Sequence, residues 1–343
     1  MNIRGTLEQL TRRTITPPAL DLPRVSAIDA GAHGGIPEHW RGFERWLEVD
    51  GFDPDQQECD RLNGRAPSNM RWHARGLART TGAHKLHVLN RVTGSSLYPP
   101  NEKVISRYAD RSYWGVQKIV DVDCVSLGDF VREAKRTPHL LKLDTQGSEL
   151  DILKGLAAAQ WTSVLAAEVE VEFVDLYAGQ PLFPDVHTFM RERGFDLIDL
   201  RTHRAYRAGD GSEEYLVRRF WNFDGARNHI TAQLVAGDAL YIRPLDSDAL
   251  ADRDALLRYV VVTLIYHCYE LSLLAVDRLE AEKRCTREEA DVLRRWIASH
   301  GPRPSVFDRR DVVGKGARLI GRVFGRQGSG RRVFWTERTL PDQ

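Results

Sequence analysis

Residues 25–35 read VSAIDAGAHGG, and this stretch decides the fold class. An apolar run from Val25 ends in an acid, Asp29, and turns through Ala30-Gly31-Ala32-His33-Gly34-Gly35 toward a helical pattern. A backbone stripped of side chains at Gly31, Gly34 and Gly35 lets a ligand come close. The spacing is not GxGxxG, and an acid just ahead of the first glycine suits a cationic ligand better than a pyrophosphate. S-adenosylmethionine (SAM) carries both a sulfonium and an amino group. Asp29, Gly31, His33 and Gly35 are therefore candidate cofactor contacts, at the carboxyl end of a first strand where open α/β sheets bind ligands.

Short apolar runs alternate with helical patterns outward from this turn to about Pro244, the signature of repeated strand-helix units and a mostly parallel sheet. The expected strands are Val25–Asp29, Val49–Asp53, Lys85–Asn90, His139–Asp144, Ser163–Val171, Phe195–Leu200 and Leu234–Arg243. Helices are expected over Pro37–Trp46, Asp55–Leu62, Ser126–Ala134, Ser148–Ala159 and Pro184–Arg193, with Val92–Asp121 irregular. The second strand ends Gly51-Phe52-Asp53-Pro54-Asp55, which places a carboxylate where a ribose-binding acid belongs. Asp53 is the candidate for the ribose, and Asp55 for the cap of the helix that Pro54 starts. Asn90, ending the expected third strand, is a candidate for adenine as well as for ordinary turn chemistry.

The most specific stretch is 139–155, HLLKLDTQGSELDILKG: an apolar strand carrying Lys142 and ending at Asp144, a sharp turn at Gly147, and a helix opened by Glu149. With DAGAHGG and GFDPD ahead of it, the chain resembles the FkbM-type methyltransferase family. The resemblance continues through EVEVEF (168–173) and LYAGQPLF (176–183) to GFDL (194–197). It implies a SAM-dependent O-methyltransferase with a Rossmann-like seven-stranded methyltransferase sheet whose last strand, supplied by residues 237–243, is antiparallel. It also carries over Asp29, Gly31 and Gly35 as cofactor-loop residues, Asp53 as the ribose acid, and Asp144 with Glu149 as a catalytic pair. The strand-two acid is aspartate where the family often has glutamate.

A hydroxyl acceptor needs its proton removed, and Asp144, at the end of a central strand, is the first candidate base. Glu168, Glu170 and Glu172 alternate and so share one strand face. Asp144, Glu170 and Glu172 could together hold a divalent cation, although an acid row is also commonly solvated or bridged to basic neighbours. His33, His139 and His203 are alternative bases, each also readable as a surface or packing histidine.

Composition narrows the function. Forty-nine basic residues against forty-eight acidic ones leave a formal charge of +1, which gives no global pull toward nucleic acid. Cys59, Cys124, Cys268 and Cys285 form no CxxC pair, and residues 1–24 read as a polar leader, so a cytoplasmic protein is expected. Past Pro244 the pattern becomes helical, which places a domain boundary between 25–244 and a helical extension with a basic tail, 245–343. Residues 254–279 are apolar on more than one face and read as a packing or homodimer-forming helix. Residues 312–326, VVGKGARLIGRVFGR, separate basic from apolar positions and could touch an anionic membrane face. The acceptor expected is a hydroxyl on a sugar, glycan or other small precursor. The competing readings are a nicotinamide-dependent oxidoreductase, disfavoured by the missing GxGxxG, and a non-catalytic SAM-binding assembly protein.

Overall fold

The structure, a computed structural model, describes residues 20–108, 111–205, 207 and 233–300. The 312–326 stretch expected at a membrane face and most of the leader lie outside the described residues. The strands are β1 (Val25–Ala30), β2 (Leu47–Phe52), β3 (Met70–His73), β4 (Gly76–Ala78), β5 (Gly82–Leu89), β6 (Val116–Ser126), β7 (Leu140–Leu143), β8 (Ala166–Glu172), β9 (Asp196–Ala205) and β10 (Gln233–Ile242). The helices are α1 (Gln56–Asn63), α2 (Glu102–Ile105), α3 (Leu127–Glu133), α4 (Glu149–Lys154), α5 (Phe183–Glu192), α6 (Arg253–Ile265), α7 (Tyr269–Ala281) and α8 (Arg287–His300).

Seven strands form one sheet in the order β3-β2-β1-β7-β8-β10-β9. The neighbours are parallel except for β10, which runs antiparallel to both β8 and β9. This is the Rossmann-like seven-stranded sheet, with the antiparallel strand last in sequence but next to last in space. The strand order reverses between β1 and β7, so their carboxyl ends flank the crevice where such sheets bind ligands.

The third strand of the main sheet is not the expected one. Met70–His73 pairs with β2, whereas Lys85–Leu89 belongs to β5, which pairs antiparallel with β6 in a separate three-stranded sheet, β4-β6-β5. Four residues with two apolar positions are too short to show a period, and β6 occupies part of the segment expected to be irregular. The expected helix over Pro37–Trp46 is instead two 3-10 turns, Glu38–Trp40 and Glu44–Trp46, on either side of Gly42 at φ +93°. Trp40, Phe43 and Trp46, three residues apart, all enter the core. That spacing fits three residues per turn as well as it fits an α-helix.

Each sheet face carries its own apolar layer. Val25, Ala27, Leu140, Ala166 and Ile242 face α6–α8, while Ile28, Leu141, Leu143, Ala167 and Val169 join Phe130, Leu153 and Met190 on the opposite side. The change of pattern at Pro244 therefore marks a change of layer. The helices that follow share the sheet's core, and the described residues through His300 form one compact unit. The apolar run Tyr259–Val276 is two helices separated at Tyr266–Cys268, with His267 at φ +58°. Within 254–279 the apolar side chains are largely covered by this same chain, and Leu273 and Leu274 remain exposed at 39% and 44%. Among the described residues no helix is long and apolar enough to cross a membrane.

Candidate active site at the crevice between β1 and β7

The glycine turn is held by β2. The backbone N–H groups of Gly31 and Ala32 both donate to the Phe52 carbonyl at 3.0 Å. Gly31 sits at φ +82°, and a Cβ there would lie 2.0 Å from the Asp144 carbonyl oxygen, so the first and third motifs meet backbone to backbone. Gly34, at φ +86°, has open space where its Cβ would be, while one at Gly35, φ +98°, would meet Leu62 at 3.3 Å. Glu58 on α1 accepts from the Gly34 N–H at 3.0 Å, tying the turn to that helix.

Asp29 is 2% exposed, and its Oδ1 is a buried acceptor without a hydrogen-bond partner. Burial pushes its carboxyl up to about 7 against the pull of Lys142, with Asp144 and Glu168 raising it further. Lys142 Nζ lies 3.8 Å from Asp29 Oδ1 and 3.5 Å from Asp144 Oδ2. The two acids singled out from the sequence thus share one cation, which the motifs gave no role. Burial works to raise the Asp144 carboxyl, but Lys142 and hydrogen bonds outweigh it and hold the group below its ordinary value.

Asp53 is 8% exposed; its Oδ1 accepts from the Asp55 N–H at 2.8 Å and its Oδ2 lies 3.6 Å from His33 Nδ1. Burial raises its carboxyl despite that backbone hydrogen bond. Asp55 caps α1, accepting from the Gln57 and Glu58 N–H groups. Asp53 and His33 therefore belong to one wall of the crevice, and Asp55 to the helix.

Glu149 is placed differently from a catalytic partner of Asp144. It is 2% exposed, and its two oxygens accept from the Thr145 N–H at 2.6 Å, the Thr145 hydroxyl at 2.9 Å and the Gly147 N–H at 3.0 Å. These bonds occupy it in closing the turn before α4. Asn90 directly follows β5 of the small sheet, away from the main-sheet edge where it was expected. Its side-chain amide donates to the Ser112 carbonyl and its backbone N–H to the Gly115 carbonyl, each at 2.8 Å, pinning a loop.

The acid row on β8 is bridged. Gln146 donates to Asp144 Oδ1 at 3.0 Å and to Glu170, and its own carbonyl oxygen lies 3.0 Å from the Tyr177 hydroxyl. Burial first, then Asp144 and Glu172, push the Glu170 carboxyl well above the ordinary range. Among the described residues no three His, Cys, Asp or Glu side chains converge to hold a metal ion, and the trio Asp144, Glu170 and Glu172 forms no such group. His139 stands before β7 at the far end of the strand, where its Nδ1 accepts from the Ser26 N–H at 3.0 Å. Burial pushes its imidazole down to about 4, so it is a neutral packing group. His203 pairs with Asp238 at 3.1 Å.

The sheet order, the antiparallel β10, the glycine turn and the strand-end acids define a methyltransferase-type Rossmann-like fold. Residues 29–197 match the family model described as the methyltransferase FkbM domain. Methyltransferase sdnD of Sordaria araneosa is 28% identical over 149 residues, covering 38% of this chain and 55% of that protein. The chain thus spans little more than half the length of this relative. Among solved structures, a TehB-like SAM-dependent methyltransferase from Corynebacterium glutamicum is 13% identical, with a TM-score of 0.26 over 66% of this chain and 84% of that one. Sp1610 of Streptococcus pneumoniae is 8% identical, with a TM-score of 0.31 over 88% of this chain and 99% of that one.

Proposed function

We propose that this chain transfers the methyl group of SAM to a hydroxyl oxygen on a sugar, glycan or other small precursor. The observation that carries the proposal is Asp29. A buried carboxylate oxygen without a hydrogen-bond partner, beside a glycine turn and at the point where strand order reverses, is suited to receive an amino group.

The remaining residues fit the same donor. The bare backbone at Gly34 leaves space for a ligand, and Asp53 retains acceptor capacity for ribose hydroxyls beside His33. When bound, SAM supplies an electrophilic methyl group on a positively charged sulfur. The protein's main contribution is to align the acceptor oxygen behind that carbon and exclude competing water. Asp144, kept ionised by Lys142 and Gln146, suits a carboxylate that remains charged beside a cationic donor better than one that takes up a proton. Its part is to hold the crevice's charge pattern.

The test is transfer of tritium from methyl-labelled SAM to a panel of sugars and small alcohols. The proposal expects labelled product with wild type and none above background with Asp29→Ala. Label appearing equally with both proteins would contradict it.

A further inference from the structure

Asp29, Lys142 and Glu168 are direct register neighbours on β1, β7 and β8, so their side chains form one row on the sheet face that carries α6–α8. Two strand spacings, about 9.5 Å, separate the first from the last. Beyond Glu168 the row opens into a cleft with about 400 Å³ of empty space, part of it open to solvent. His39, Glu168, Asp199, Arg201, Asp238 and Tyr266 all line it.

His39 follows the glycine turn, and its Nε2 lies 2.9 Å from Glu168 Oε2, a close contact without hydrogen-bond alignment. Tyr266, at the end of α6, donates its hydroxyl to the same carboxylate oxygen at 2.9 Å and in turn receives Trp40 Nε1 at 3.4 Å. The His39 and Tyr266 rings stand 5.1 Å apart. Burial would raise the Glu168 carboxyl, but His39, Lys142 and Tyr266 outweigh it, so it remains ionised. A histidine beside a fixed carboxylate is the arrangement in which a base is oriented and its protonated form stabilised.

We infer that this cleft receives the acceptor, and that His39, braced by Glu168, takes the proton of the hydroxyl that is methylated. The inference rests on the methyl-transfer reading. In the step, the acceptor oxygen forms a bond to the methyl carbon of the sulfonium donor. The carbon–sulfur bond breaks with its electron pair remaining on sulfur, and the hydroxyl proton passes to His39. Asp199, Asp238 and Arg201 offer acceptors and a donor to hydroxyls flanking the reacting one, so a polyhydroxyl compound suits the cleft. Tyr266 gives the C-terminal helices a part in the site, because it holds the carboxylate that orients the base.

The test uses the full chain with nitrogen-15-labelled histidines, saturated with S-adenosylhomocysteine and titrated with methyl α-glucoside, methyl α-rhamnoside and myo-inositol. At least one probe is expected to shift the His39 ring resonances saturably and, with labelled SAM in place of the homocysteine, to receive label. His39→Asn and Glu168→Gln should each lower that transfer ~100-fold, the scale of general-base catalysis, with S-adenosylhomocysteine affinity unchanged. Failure of wild type to bind S-adenosylhomocysteine would overturn the methyl-transfer reading and this inference with it. Binding of S-adenosylhomocysteine with no probe moving His39, or probes that bind there without receiving label, would overturn the inference alone.

Discussion

A Cβ on Gly31 would stand 2.0 Å from the carbonyl oxygen of Asp144, which makes this contact the joint between the cofactor turn and the acid that ends β7. Gly31→Ala would add to that clash a left-handed backbone, worth about 1–2 kcal/mol against any non-glycine residue. Gly34→Ala meets only the second penalty, because nothing lies within 4 Å of its Cβ. Urea unfolding should therefore show Gly31→Ala much the less stable of the two. Equal losses would mean the joint relaxes freely.

Asp29 should make the protein less stable as pH rises. Its folded-state carboxyl is raised to about 7 from an ordinary 3.8, so the folded chain keeps a proton that the unfolded chain has lost. The contribution is complete below about pH 4 and is lost as pH rises through 7, in total up to about 4 kcal/mol. Glu149, also pushed up to about 7 by burial, acts in the same direction. Unfolding free energies from pH 5 to 8 should fall more steeply for wild type than for Asp29→Asn. Parallel curves would show that Asp29 is not the titrating group.

Lys142→Met would leave Asp29 and Asp144 without their shared cation. Removing one partner from a buried charge cluster typically costs about 3–5 kcal/mol. Lys142 is 15% exposed by side chain, so a loss toward the lower end is expected, read as a drop in the thermal midpoint. An unchanged midpoint would show that both acids are protonated in the folded state at the working pH.

Glu149→Gln separates a loop lock from a catalytic acid. The substitution sets an amide NH2 among the donors at Thr145 and Gly147, and a buried donor left unsatisfied costs about 1–3 kcal/mol. Stability and donor binding should fall together. Full stability with only the turnover rate reduced would restore Glu149 to the chemistry.

The parts of the fold legible in the sequence are those where strand, acid and glycine turn are contiguous: β1 with Asp29, β2 with Asp53, and β7 with Asp144. Asp55 as a cap was legible for the same local reason, since its two bonds lie within α1. The third strand was not, because Met70–His73 is short and the longer alternating run of β5 looked like a better strand. His39, Glu168 and Tyr266 lie far apart in the chain, and only the packing of α6 on the sheet brings them together. Lys142 was visible inside an apolar strand. A buried lysine between two strand-end acids was the available signal, and it points to a charge partner rather than to a ligand.

The central claim is that the Asp29 crevice binds SAM. Calorimetric titration tests it most directly, with SAM and NAD added in parallel to wild type and to Asp29→Ala. The account predicts saturable heat from SAM alone, lost in the variant. No heat from SAM at millimolar concentration, or tight binding of NAD, would contradict it.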